Sequence, residues 1–292
     1  MRSPSELQDI VDRYERDGYV VVPNLIPPHL LDPLSLAADR VTDRARAGGW
    51  SQVRVVGKQF PPWVAGDDVW GVQNLMHPDL GEEVFAEWYG SEGMLEVSAA
   101  LMGCRVEDMQ FELFNLLVNP LEKTYALSWH RDDIKSTVSP SEESEALGIK
   151  HHGIQWNAAL YDDACLSAVP GSHRRVRTPA EREANLSGGV MPGGKALELK
   201  KGETVFYNNN ISSWRPAQRL LEDLPPPDPF PSHHLPDQLA LHNVYALHVI
   251  LLSLGRAPPS PQPPNRPRPF SPPPSALANT RASTRRQIQP PR

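Results

Sequence analysis

T-Y-A-L-S-W-H-R-D-D-I-K, residues 124–135, sets both the fold class and the chemistry expected of this chain. Tyr125, Leu127 and Trp129 alternate with small or polar neighbours, the period-two pattern of a strand. His130 and Asp132 stand two apart at its end and so share a face, with Arg131 on the other. An imidazole nitrogen and a carboxylate oxygen presented together are two of the three donors that hold non-haem Fe(II) facially. A second His-x-Asp, His77-Pro78-Asp79, has a proline at its centre and reads as a surface turn.

Toward the N-terminus the pattern is mostly helical. Residues 5–18 carry an apolar stripe of Leu7, Ile10, Val11 and Tyr14, with Ser5 as a cap and Gly18 as a stop. Tyr19 to Val22 reads as a short strand, Pro28 to Ala47 as a second helix, and Gln52 to Val56 and Val69 to Leu75 as strands. Leu80 to Leu101 reads as one further helix, its aromatics serving the core. From Met109 onward the periodicity turns to two, with strands expected near 109–119, 153–161, 197–201 and 204–208 and a polar loop at Ser136 to Glu145. Helices followed by short antiparallel strands predict an α+β protein whose second half is a jelly roll.

Composition bounds the partners. A net charge of −6 offers nothing to nucleic acid or an anionic membrane surface. Two cysteines argue against a disulfide scaffold. The start of the chain lacks the apolar core of a secretory signal, and the longest apolar run, Tyr245 to Leu254, is too short to span a bilayer, so a cytoplasmic location is expected. Composition also changes along the chain. Of 32 prolines, 19 fall in residues 212–292, a segment that carries nine Lys/Arg and four Asp/Glu. The boundary is therefore placed at Ile211, between a domain (helical part about 1–108, β-core about 109–211) and a Pro/Arg-rich tail over 212–292. Such a tail reads as disordered or as the product of a frame change, a retained intron or a mispredicted gene model.

Five segments together resemble the phytanoyl-CoA dioxygenase family of Fe(II)/2-oxoglutarate oxygenases. They are D-G-Y-V-V-V-P-N-L-I (17–26), S-W-H-R-D-D (128–133), W-N-A-A-L-Y-D-D (156–163), V-P-G-S-H-R-R (169–175) and K-G-E-T-V-F-Y-N-N-N (201–210), in the family's order. The resemblance implies a double-stranded β-helix, Fe(II), 2-oxoglutarate as co-substrate and O2. It also implies decarboxylation to succinate coupled to oxidation of a small organic molecule. By the same resemblance His130 and Asp132 match the first two iron ligands. Trp156 falls near the strand that lines the 2-oxoglutarate pocket, with a plain core role as its rival. His173 matches a loop residue that is not a ligand, with loop-holding as its role.

The chain departs from the family after residue 211. The family continues to a histidine, the third ligand, and then to an arginine that pairs with the 2-oxoglutarate carboxylate. Here the residues are Ser212-Ser213-Trp214-Arg215-Pro216, and neither Arg215 nor Arg219 is assigned to the co-substrate. Serine is a poor Fe(II) donor, so weak turnover is expected, and with nothing beyond that point matching the family a β-core lacking its last strands is expected too. Among other histidines, His173 is the remaining candidate for the third position; His233, His234, His242 and His248 read as solvated tail residues, with no strand to fix them. Two rival classes stay open: a catalytically inactive binding or scaffold protein, and a cupin-like metal protein using His130 with His151, His152 or His173.

Overall fold

The computed structural model describes residues 2–58, 60–64, 66–123, 126–149 and 153–216, and the backbone of 246–253. The chain divides into two units, 1–255 and 256–292, of which the second lies outside the described residues.

The first helix, α1 (Pro4–Asp17), is capped by Ser3 rather than Ser5. The Ser3 hydroxyl accepts the Glu6 N–H and the Glu6 carboxylate accepts the Ser3 N–H, which satisfies two N–H groups that a helix start leaves open. Then come β1 (Tyr19–Val22), α2 (Pro28–Arg46), β2 (Val53–Val55) and β3 (Val69–Gln73). The single helix expected over 80–101 is two, α3 (Glu83–Tyr89) and α4 (Glu92–Met102), separated at Gly90-Ser91. The β-rich half holds β4 (Met109–Leu117), β5 (Ala126–His130), α5 (Pro140–Gly148), β6 (Gly153–Ala159), β7 (Asp163–Ala168), α6 (Pro179–Ser187), β8 (Lys195–Leu199) and β9 (Thr204–Tyr207).

Two more strands follow Ile211: β10 (Ser213–Pro216) and β11 (Ala246–Ser253). The strands form two antiparallel sheets. The larger has the order β1-β9-β6-β11-β4-β3-β2 and the smaller β5-β10-β7-β8. One face of the larger sheet is covered by the helices, where Phe85, Trp88, Phe114, Trp156 and Phe206 share the main core. Its other face packs on the smaller sheet through Ala159, Val205 and Tyr207 against Leu166, Leu197 and Leu199. Every residue of β6 is buried, because both of its faces are covered.

The expectation that the β-core lacks its last strands is corrected here. β11 pairs with β4 on one side and β6 on the other, and β10 pairs with β5 and β7. Each is an interior strand. Without β11 the larger sheet would fall into two pieces, and without β10 nothing would pair β5 to its sheet, leaving unpaired edges. Composition hid them: strands of four and eight residues sit in a segment that is otherwise rich in proline. The reading of 217–245 and 254–292 as disordered lies outside the described residues.

Candidate metal centre and interior cavity

Strand β5 ends at His130, and Asp132 lies in the bend that follows it. His130 and Asp132 face the space between the sheets, each with a side chain 37% exposed, and Nε2 of His130 is 3.5 Å from Oδ1 of Asp132. The other imidazole nitrogen, Nδ1, donates to the Ser128 carbonyl at 2.7 Å. That bond fixes the ring and turns Nε2 inward, the tautomer that a metal-binding histidine needs. Burial works against the charged imidazole, but the Asp132 carboxylate and the Ser128 carbonyl outweigh it and raise the His130 pKa. Asp132 is held as well. Its N–H donates to the Asn209 carbonyl at 3.0 Å, and the Gln155 side-chain amide donates to Oδ2.

The third side of the site comes from β10. The N-N-N-I stretch is a turn rather than a strand: the Ile211 N–H returns to the Asn208 carbonyl at 2.9 Å, and the chain then enters β10. Ser213 is thereby set in register opposite His130. A cavity of about 220 Å3 lies against His130, Asp132 and Ser213, walled by Asn115, Gln155 and Asn157 from the larger sheet. Asn115 is 1% exposed, and neither atom of its amide has a hydrogen-bond partner among the described residues. With Gln155 and Asn157 it gives this wall a polar character. His130 and Asp132 suit a divalent ion, Ser213 beside them offers a neutral hydroxyl, and among the described residues no group of three His, Cys, Asp or Glu is gathered.

Behind the strand the picture reverses. Arg131, 3% exposed, points away from the cavity toward Glu143 of α5, with Nε 3.6 Å from Oε1. Arg177 reaches the same carboxylate at 2.8 Å, and Arg182 also binds it. Burial, and then the charge of Arg177, push the Arg131 guanidinium down to about 10. Neither α5 nor α6 was expected from hydrophobic period. Both carry a legible start signal, the capping boxes of Ser139 with Glu142 and Thr178 with Glu181.

The remaining candidates take other places. Trp156 lies on the helix-facing side of β6, its ring 5.4 Å from Phe206, so it fills the core while Gln155 and Asn157 face the cavity. Polar residues in an otherwise apolar strand were the signal for that face. His173 sits on a 3-10 turn against the end of α1, with Nε2 3.2 Å from the Glu15 carbonyl. Its ring fills the space where a Gly18 side chain would be, since a Cβ there would lie 2.4 Å from Nδ1 and Gly18 has φ 80°. It holds the loop and is not among the residues lining the cavity. His77 accepts the Asp79 N–H in a surface 3-10 turn, as its proline suggested. His151, His152, His233, His234 and His242 lie outside the described residues. His248 belongs to β11, in register with Asn115 and Asn157, so the expectation that no strand fixes it is corrected.

Comparison with known proteins agrees with this layout. Among solved structures, AviO1 from Streptomyces viridochromogenes Tue57 superposes with a TM-score of 0.58 at 16% identity, over 89% of this chain and 100% of that one. EctD from S. alaskensis, solved with 2-oxoglutarate and 5-hydroxyectoine, gives 0.57 at 14% identity over 86% and 76%. The epimerase SnoN, in complex with Fe3+, alpha ketoglutarate and nogalamycin RO, gives 0.54 at 16% identity over 90% and 94%. At these identities the likeness is one of fold. No curated protein matches the chain. No helix among the described residues is long and apolar enough to cross a membrane. The phytanoyl-CoA dioxygenase family model matches residues 14–211, and with His130 and Asp132 set side by side at the end of β5 the chain belongs to that family of oxygenase-like proteins.

Proposed function

We propose that this chain is an Fe(II)/2-oxoglutarate oxygenase-type protein with an impaired metal centre, directed at hydroxylation or related oxidation of a small organic molecule. His130 and Asp132 are its two metal donors. Their placement supports the reading: one ring nitrogen of His130 is committed to a backbone carbonyl, and the other faces a carboxylate across 3.5 Å. Gln155 and the Asn209 carbonyl orient Asp132, while Asn115, Gln155 and Asn157 give the wall polar character for a co-substrate such as 2-oxoglutarate. Ser213 beside His130 supports the impairment, since a hydroxyl replaces an imidazole in the donor set. The same observation favours the second reading, a family member that binds its small molecule without turning it over.

The test is divalent-metal titration of the purified protein alongside succinate release from 2-oxoglutarate. Weak metal binding that His130→Ala removes, with little or no succinate, is expected. Metal binding indifferent to His130→Ala would end the oxygenase-type reading. Iron-dependent turnover at the ordinary enzymatic pace, roughly 1 per second or faster, would end the claim of impairment.

A further inference from the structure

Arg131 follows β5 directly, and its side chain is 0% exposed. A guanidinium carries five N–H donors. Arg131 uses one of them in a hydrogen bond, from Nη2 to the Arg175 carbonyl at 2.9 Å. Its Nη1 and Nε have no hydrogen-bond partner among the described residues, and the 3.6 Å approach of Nε to Glu143 Oε1 is an ion-pair contact too long to be one. Arg177 and Arg182 gather on the same carboxylate and are better served. The Ile134 and Lys135 carbonyls accept from Arg177, and the Val138 carbonyl accepts from Arg182, whose side chain is 20% exposed. Arg175 and Glu181 cancel each other through two hydrogen bonds at 2.7 and 2.6 Å.

Charge in this cluster therefore does not balance. Three guanidiniums share one carboxylate, which leaves a surplus of two positive charges behind β5. Burial, and then the charge of Arg177, lower the Arg131 pKa to about 10, and the group is still protonated at neutral pH. A buried charge is costly unless it is both paired and hydrogen-bonded.

We propose that Arg131 binds a small monovalent inorganic anion, of the size and charge of chloride, through its Nη1. The class follows from the surroundings. The side chains of Arg131, Glu143 and Arg177 are 0%, 0% and 1% exposed, so a carboxylate or phosphate carried on a larger molecule has no way to reach the group. A water molecule would accept the hydrogen bond and leave the surplus charge as it is; a halide does both. The site lies on the far side of β5 from the cavity, and binding there needs neither metal nor 2-oxoglutarate.

The test is urea unfolding of the full chain while sodium chloride is exchanged stepwise for sodium gluconate, whose anion is too large for a sealed site. Constant ionic strength keeps the screening of surface charges unchanged. An ion that binds only the folded chain stabilises it by mass action, so the unfolding equilibrium constant should fall as chloride rises, approaching about 10-fold for each 10-fold increase once the site fills. Arg131→Gln should remove that response and hold the constant within about 2-fold across the exchange. Parent stability indifferent to the exchange would overturn the proposal, as would a chloride response that Arg131→Gln retains. Should Arg131→Gln fail to fold, crystals of the parent soaked in sodium bromide decide the matter. An anomalous peak within hydrogen-bonding reach of Arg131 Nη1 upholds the site, and no peak there overturns it.

Discussion

His130 and Arg131 are adjacent in the chain and live in different surroundings. On the cavity side of β5 the His130 and Asp132 side chains are each 37% exposed and border open space. On the far side the side chains of Arg131 and Glu143 are both 0% exposed and are locked with Arg177 and Arg182 in a buried charge cluster. The contrast teaches where each kind of change should be felt. The inner face is built to be completed by something else, so substitutions there should alter binding and spare the fold. On the far side three guanidiniums share one buried carboxylate, and removing it strands them in a low-dielectric interior.

Glu143→Gln should therefore have the largest effect. It leaves Arg131, Arg177 and Arg182 without their shared carboxylate, and the expected cost is about 3–5 kcal/mol in urea denaturation, the usual loss when one partner of a buried ion pair is removed. A stability within about 1 kcal/mol of the parent would erase the distinction between the two faces. Ser213→His works in the opposite sense on the cavity side. It places an imidazole in register with His130, and cobalt(II) titration should show affinity rising by at least the roughly 10- to 100-fold that outer-shell partners carry. An unchanged affinity would mean that β10 does not supply the third side of the site.

His173→Ala tests whether His173 serves as a metal donor. The loss of its bond to the Glu15 carbonyl should cost about 1 kcal/mol of stability, with cobalt affinity unchanged; a loss of metal would restore His173 as a ligand. Smallest in stability is His130→Ala. At a partly exposed site it should shift unfolding by about 0.5–1 kcal/mol, the worth of its hydrogen bond to Ser128, while abolishing metal binding. A larger loss of stability would put His130 in the same class as Glu143.

Much of this contrast could be read in advance from β5. Alternation along T-Y-A-L-S-W-H-R-D-D-I-K already set His130 and Asp132 apart from Arg131, because the side-chain period of a strand is a local property. Other features are also spelled in the sequence. Ser139-Pro140-Ser141-Glu142 and Thr178-Pro179-Ala180-Glu181 both spell a capping box, and they start the helices that support the charge cluster. The apolar run at 246–253 has the length of a buried central strand, and it stands between β4 and β6. Proline-rich flanks outweighed that signal, since composition averages over a window wider than the strand.

What the sequence determined by itself is local. It includes the apolar stripes of α1 and α2, the shared face of His130 and Asp132, and the run of family motifs from residue 17 to 210. What only tertiary structure decided is which distant segments meet. Ser213 stands beside His130 because β10 pairs with β5, and β11 joins two halves of a sheet from far along the chain. Trp156 packs on the helices and Gln155 on the cavity because β6 is covered on both sides, so burial alone does not say which face meets which layer. Periodicity fixes the relation between neighbours on one strand. The register between strands is set by long-range pairing, whose loop-closure entropy and packing gain belong to the whole fold.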